Sequence, residues 1–221
     1  MGIVTFDDIA DVAELETSED FEKLGGMEAI GSRYSSVGLL KLVRKRVVWL
    51  VGLFIGGIFT ILAMGTFQER LEQYTILALF VPLIIACGGN AGTQTASLMI
   101  RALALGDVVL QDWLKVIKRE LASGIILGLV LGILGFITAY IVTIILGQDR
   151  TEAASLMLAG AIGSSIMSVV ICGTFVGSFL PFVFGRLGID PATSSTPTVA
   201  ILVDVAGLFL YFFICGLFIN F

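Results

Sequence analysis

Apolar side chains in this chain fall into long uninterrupted runs rather than into alternating faces. Five runs reach about 20 residues or more, the length a helix needs to cross a hydrocarbon core. They extend from Val47 to Phe67, Tyr74 to Leu103, Leu121 to Leu146, Ala154 to Phe184 and Pro197 to Phe221. Helices satisfy their own backbone hydrogen bonds in lipid, whereas a barrel would read as short alternating segments. The pattern predicts an all-α integral membrane protein with five transmembrane helices. The second and fourth runs exceed what a bilayer requires, which predicts tilt, a kink or a break.

Charge adds an orientation. Lys41, Arg44, Lys45 and Arg46 crowd the entrance of the first run. Arg101, Lys115, Lys118 and Arg119 lie between the second and third, and Arg186 between the fourth and fifth. The other two connections hold only Arg70 and Arg150. The positive-inside rule therefore predicts a cytoplasmic N-terminus. Hydrophobic residues make up 57% of the chain, and no signal-peptide pattern follows Met1. The chain has no histidine, and Cys87, Cys172 and Cys215 each stand alone within an apolar run. They read as small buried hydrophobes rather than as a zinc site or a disulfide framework.

The segment ahead of the first run is a different object. Asp7, Asp8, Asp11, Glu14, Glu16, Glu19, Asp20, Glu22 and Glu28 face a single basic residue, Lys23. Ile9, Val12 and Leu15 recur at helical spacing, as do Phe21 and Leu24, so two short amphipathic cytoplasmic helices are expected, ended by Gly25-Gly26. Gly2-Ile3-Val4-Thr5 reads as an extended stretch. Residues 1–40 are thus separated from a five-helix transmembrane domain at 41–221. The acidic face reads either as simply solvated or as a surface that holds divalent cations. No internal repeat is visible. Small residues one turn apart (Gly52 and Gly56, Gly124, Gly128 and Gly132, Gly173 and Gly177) permit close helix packing.

Within the runs ionisable side chains nearly vanish, and Asp204 is the exception. It lies about seven residues into the last run, roughly 10 Å from its start. An unpaired charge there costs at least about 2.5 kcal/mol, so it should face water, a partner or an ion. Helical spacing places Ala200, Gly207 and Tyr211 on its face. Hydrogen bonds to Ser164, Ser165 or Ser168 are the competing structural reading. In the second run, Pro82 and Cys87-Gly88-Gly89-Asn90-Ala91-Gly92-Thr93-Gln94 are poor material for a continuous helix. A break there would offer the carbonyls of Gly88 and Gly89 and the Asn90 amide. Beyond it Asn90, Thr93 and Ser97 form one polar stripe. These are oxygen ligands of the kind hard Mg²⁺ or Ca²⁺ prefers; a glycine-mediated helix crossing is the alternative. At the mouth of the fifth run Thr196 can cap a helix with Pro197 at its first position, and Asp190 sits ahead of the cap.

GGNAGTQ at 88–94, IRALALGDV at 100–108 and DPATSSTPTVAILVDVAG at 190–207 together resemble the MgtE family of magnesium channels and transporters. The stretch GIVTFDDIADVAELETSEDFEKLGG at 2–26 is similar to the end of that family's CBS domain and its connecting plug helix. The family's acidic N-domain and most of its CBS pair do not appear. The resemblance implies a homodimer in the bacterial cytoplasmic (inner) membrane, with a pore lined by the second and fifth helices of both subunits. It implies that Asp204 holds hydrated Mg²⁺, with Asn90, Thr93, Ser97 and Thr196 nearby. Thr93 and Thr196 stand where an amide is common in some relatives. It also implies that gating by cytoplasmic Mg²⁺ is impaired or absent. Two facing copies of Asp204 would match one divalent ion moving down its electrochemical gradient. The expected partners are a second copy, Mg²⁺ and membrane lipid, with no nucleic acid. An ion-coupled secondary transporter with Asp204 as the coupling site is the alternative. An enzyme is not expected, because no histidine exists to activate a serine and one intramembrane carboxylate is too few for metal-dependent transfer.

Overall fold

A computed structural model describes residues 4–30, 34–146, 151–193 and 196–219. The end of the fifth run at Phe221, Arg150, and Gly2 and Ile3 of the extended stretch lie outside these. The described residues form seven α-helices and no strand: α1 (Phe6–Leu24), α2 (Leu39–Thr66), α3 (Gln68–Gln73), α4 (Thr75–Ala104), α5 (Trp113–Ile145), α6 (Glu152–Arg186) and α7 (Thr196–Phe218). Helices α2, α4, α5, α6 and α7 are long and apolar enough to cross a membrane. They match the five predicted runs in number and order. The short α3, between the first two spans, has no counterpart in the sequence reading.

Helix α6 is the hub. It packs against α5, α4 and α7, while α2 packs chiefly along α7. Hydroxyls inside this apolar hub bond to its own backbone: Ser164 to the Gly160 carbonyl at 2.6 Å, Ser165 to Ala161 at 2.6 Å, Ser168 to Ser164 at 2.9 Å and Thr174 to Val170 at 2.9 Å. Polar side chains thereby enter the interior without leaving donors unmet. Phe54, Phe59 and Leu62 on α2, and Ile126, Val130 and Leu134 on α5, stay exposed. Those faces suit a lipid solvent.

Glycines let α6 approach α4 at backbone distance. A Cβ on Gly173 would meet the Gly92 nitrogen at 3.2 Å, and one on Gly177 the Ala96 nitrogen at 3.2 Å. The same substitutions would strike the carbonyls of Gly88 and Gly92. Across α5, Gly128 and Gly132 serve α6 in the same way: a Cβ on either would lie 2.8 Å from a backbone oxygen of α6. This corrects the expectation of a broken second span. Helix α4 runs unbroken through Gly88-Gly89-Asn90 and past Pro82, because its glycines are contact points rather than breakers. The carbonyls of Gly88 and Gly89 are therefore not opened toward an ion. One carbonyl near Pro82 does have a second partner: the buried Tyr211 hydroxyl donates to the Leu77 oxygen at 2.9 Å.

The two predicted N-terminal helices are one. Thr5 caps α1, and its N–H donates to the Asp8 carboxylate at 2.8 Å. The expected gap is bridged where Thr17 donates to the Ala13 carbonyl at 2.7 Å. The helix ends at Gly25, and Gly26 turns the chain with φ of 70°. The backbone N–H of Ile30 then returns to the Glu22 carboxylate at 2.5 Å.

Candidate ion pathway

Asp204 lies on α7 where that helix runs beside α4, about 12 Å beyond Thr196 at 1.5 Å per residue. A Cβ on Gly89 would sit 3.3 Å from Asp204 Oδ1 and 3.9 Å from the Ala200 methyl. Gly89 thus keeps the floor under the carboxylate low, and Ala200 keeps the approach from the α7 N-terminus small. Among the described residues no side chain hydrogen-bonds to Asp204 or forms an ion pair with it. The serines that could have held it are turned onto their own helix, which removes the competing structural reading. Gly207 and Tyr211 follow Asp204 on the same side of α7, where that side enters the bundle. Gly207 packs on Val169, and Tyr211 is fully buried.

The polar stripe of α4 continues from Gly89, the α4 residue that lies against this carboxylate. Asn90 is exposed, and Thr93 and Ser97 are half-buried. Thr93 lies one turn beyond Gly89 on the same side. Its hydroxyl donates to the Asn90 carbonyl at 3.1 Å, and Ser97 donates to the Thr93 carbonyl at 2.9 Å. The hydroxyl oxygens keep acceptor capacity for water. Gly88 belongs to the packing instead: a Cβ there would meet Val203 at 2.9 Å.

Thr196 and Asp190 form a second group at the end of α7 nearest α1. The Thr196 hydroxyl donates to the Leu24 carbonyl at 3.0 Å, where α1 ends. Asp190 Oδ2 accepts from Lys23 Nζ at 2.6 Å, and its Oδ1 accepts from the Ala192 N–H at 2.9 Å. Partial burial would raise the Asp190 pKa, but the hydrogen bonds from Lys23 and Ala192 outweigh it and hold the carboxyl below its ordinary value. The bonds to Asp190 and then to Glu19, the latter at 2.8 Å, hold the Lys23 ammonium above the usual lysine range. Both oxygens of Asp190 are therefore engaged by the protein. Sequence reasoning had no role for Lys23, although its standing as the lone base in an acidic segment was a signal. It also passed over Trp49, whose half-buried ring packs on Gly26.

The sequence model of MgtE, described as a divalent cation transporter family, matches residues 81–214, from α4 to α7. The chain belongs to the MgtE family. It is 41% identical to the magnesium transporter MgtE of Thermus thermophilus over 211 residues, 96% of this chain and 44% of that protein. It is 30% identical to the magnesium transporter MgtE of Enterococcus faecalis over 221 residues, covering 46% of it, and 31% identical to that of Bacillus subtilis, again covering 46%. The chain thus spans less than half the length of the relatives it matches. The MgtE match covers Gly89, Asn90, Thr93, Ser97, Asp190, Thr196, Ala200 and Asp204, and it leaves α1 and α2 outside.

Proposed function

We propose that this chain forms the membrane part of a Mg²⁺ channel in the bacterial cytoplasmic membrane, with α1 on the cytoplasmic side. Two copies bring α4 and α7 together so that both Asp204 carboxylates face one axis. The observation that carries this reading is Asp204 itself, a carboxylate at membrane depth with no protein donor, set over a glycine and beside a polar stripe. An exposed Asn90 halfway along α4 supports it further. An amide and a carboxylate facing lipid are costly, so this side of the bundle calls for a second copy and a water-filled path.

The mechanism follows from charge and hydration. Mg²⁺ gives up its water reluctantly and needs octahedral geometry at short distances. Two carboxylates and the oxygens of Asn90, Thr93 and Ser97 contact its water shell rather than the bare ion. A combined charge of −2 at the axis balances one divalent ion and leaves a monovalent ion less strongly held. No covalent step is needed, and the electrochemical gradient drives the flux.

The deciding experiment is divalent uptake into liposomes that contain only this chain, scanning Mg²⁺, Ca²⁺, Co²⁺, Ni²⁺ and Mn²⁺ with and without an ionophore. The expected result is Mg²⁺ uptake that follows the imposed membrane potential and needs neither a proton nor a Na⁺ gradient. Uptake that collapses when a proton gradient is dissipated at constant potential would favour the coupled transporter instead.

A further inference from the structure

Helix α2 touches the rest of the bundle sparingly. Of its residues only Ala63 is buried, and it packs chiefly along α7. A Cβ on Gly56 would lie 2.9 Å from Ile201, so the two helices meet there. One turn toward the N-terminus they have parted, and a Cβ on Gly52 would meet nothing within 4 Å. The opening is an apolar groove of about 590 Å³, walled by Val48, Trp49 and Phe59 on α2 and by Ile201, Leu202 and Val205 on α7. From Val48 to Phe59 the wall runs about 16 Å at 1.5 Å per residue. That is about half of a hydrocarbon core roughly 30 Å thick, the depth of one leaflet. The open end is basic. Lys41, Lys45, Val48, Gly52, Gly56 and Phe59 follow one another at steps of three and four, and so share one stripe of α2. At Val48 and Trp49 the groove meets a second cavity, which Lys45 lines together with Glu19 and Glu28. Glu19 is engaged by Lys23 at 2.8 Å. Among the described residues neither Lys41 nor Lys45 forms an ion pair.

We propose that this groove binds one anionic phospholipid from the leaflet nearest α1, with an acyl chain between α2 and α7 and the phosphate on Lys41 and Lys45. The groove is apolar for the depth of one leaflet and ends in uncompensated positive charge, which is the complement of such a lipid. Lysine stems lie along apolar surface while their ammonium groups reach the headgroup level, and Trp49 at the junction is a residue type that settles at that boundary. A second copy of the chain is a poorer occupant. A symmetric partner laying its own α2 on this stripe would bring its own Lys41 and Lys45 to the contact, and like charges placed together oppose association. The lipid site rests on the reading above only in calling this leaflet cytoplasmic. It lies against α2, and no residue of it holds the transported ion.

The test places the chain in phosphatidylcholine liposomes with a trace of phospholipid that carries a photoreactive diazirine on one acyl chain. The probe is either phosphatidylglycerol or phosphatidylcholine, and labelled peptides are mapped after illumination. Phosphatidylglycerol should label the groove walls of α2 and α7 roughly 25-fold more than phosphatidylcholine, about five-fold for each lysine. The exposed Ile126, Val130 and Leu134 on α5 should react equally with both. Lys41→Gln with Lys45→Gln should abolish the preference. Arg44→Gln with Arg46→Gln, the same loss of charge off the stripe, should keep most of it. Gly52→Leu fills the open space and should cut labelling of the groove several-fold while α5 reacts as before. Equal groove labelling by the two probes, or equal loss in the two double variants, would mean general surface attraction and overturn the site. A groove that neither probe labels while α5 reacts would belong to a second copy, which overturns it as well. Undiminished groove labelling in Gly52→Leu would also overturn it, because the acyl chain would then lie elsewhere. None of these readouts involves flux. Liposomes that show the preference but take up no Mg²⁺ would sink the pathway reading and leave the lipid site standing.

Discussion

Replacement of Asp204 by asparagine is expected to lower Mg²⁺ uptake about 100-fold or more and to leave the helical bundle folded. A unit charge about 6 Å from a divalent ion, the separation imposed by one water layer, is worth roughly 5 kcal/mol at an effective dielectric near 20. Pore water screens part of this, yet half of it still corresponds to about 100-fold in binding. Two copies lose the term together. Folding should not suffer, because no protein donor depends on the carboxylate and a neutral amide is cheaper than a charge at this depth. The paired measurement is ion flux in liposomes and thermal stability in detergent. A stable Asp204→Asn protein with the parent's uptake would show that the ion does not pass this carboxylate.

The second large effect is structural. Gly177→Ala should destabilise the bundle by about 1–3 kcal/mol, as overpacking in a close-packed core does, and Gly177→Val by more. The added atoms meet backbone, the Gly92 carbonyl and the Ala96 nitrogen, and backbone cannot swing aside as a side chain can. To admit them α6 must move away from α4. That displaces the stretch around Gly89 and tilts the floor under Asp204, so flux should fall along with stability. Gly57→Ala is the matched control, because nothing lies within 4 Å of the added atom; helix propensity there predicts no loss and a gain of up to about 1 kcal/mol. Equal stability of the two alanine variants in a denaturant titration would refute the packing account.

The five spans were legible because their apolar runs match the thickness of a bilayer, a constraint that acts on one helix at a time. Asp204 was legible for the same reason, since a lone charge in such a run stands out without knowledge of its neighbours. The course of α4 was not. Gly88, Gly89 and Gly92 read as breakers by propensity, but tertiary contact overrides propensity. Gly173 and Gly177 supply that contact, and a single sequence cannot say which stripe of small residues meets which. The burial of Gly207 and Tyr211 was not legible on similar grounds. A residue three or seven positions from Asp204 shares its side of a helical wheel, but the wheel does not say at which depth α4 and α6 close over that side. The two expected N-terminal helices proved to be one because apolar spacing marks faces and not ends; the helix continues through Thr17, whose hydroxyl bonds back to Ala13. The pairing of Lys23 with Asp190 joins residues 167 positions apart, and no periodicity reports a contact of that kind.

The docking of α1 also leaves an optical mark. The chain has two tryptophans, and they sit in unlike surroundings. Trp113 lies 5.1 Å beneath the Arg186 guanidinium. Trp49 has its Nε1 buried without a partner among the described residues, covered by the turn at Gly26. An indole N–H sealed from water emits toward the blue, and one released to solvent emits toward the red. Release of α1 would take the turn at Gly26 off Trp49 and open its indole to water. The emission maximum of an unlabelled protein, read against a Trp113→Phe background, would therefore report whether the turn at Gly26 stays seated on Trp49.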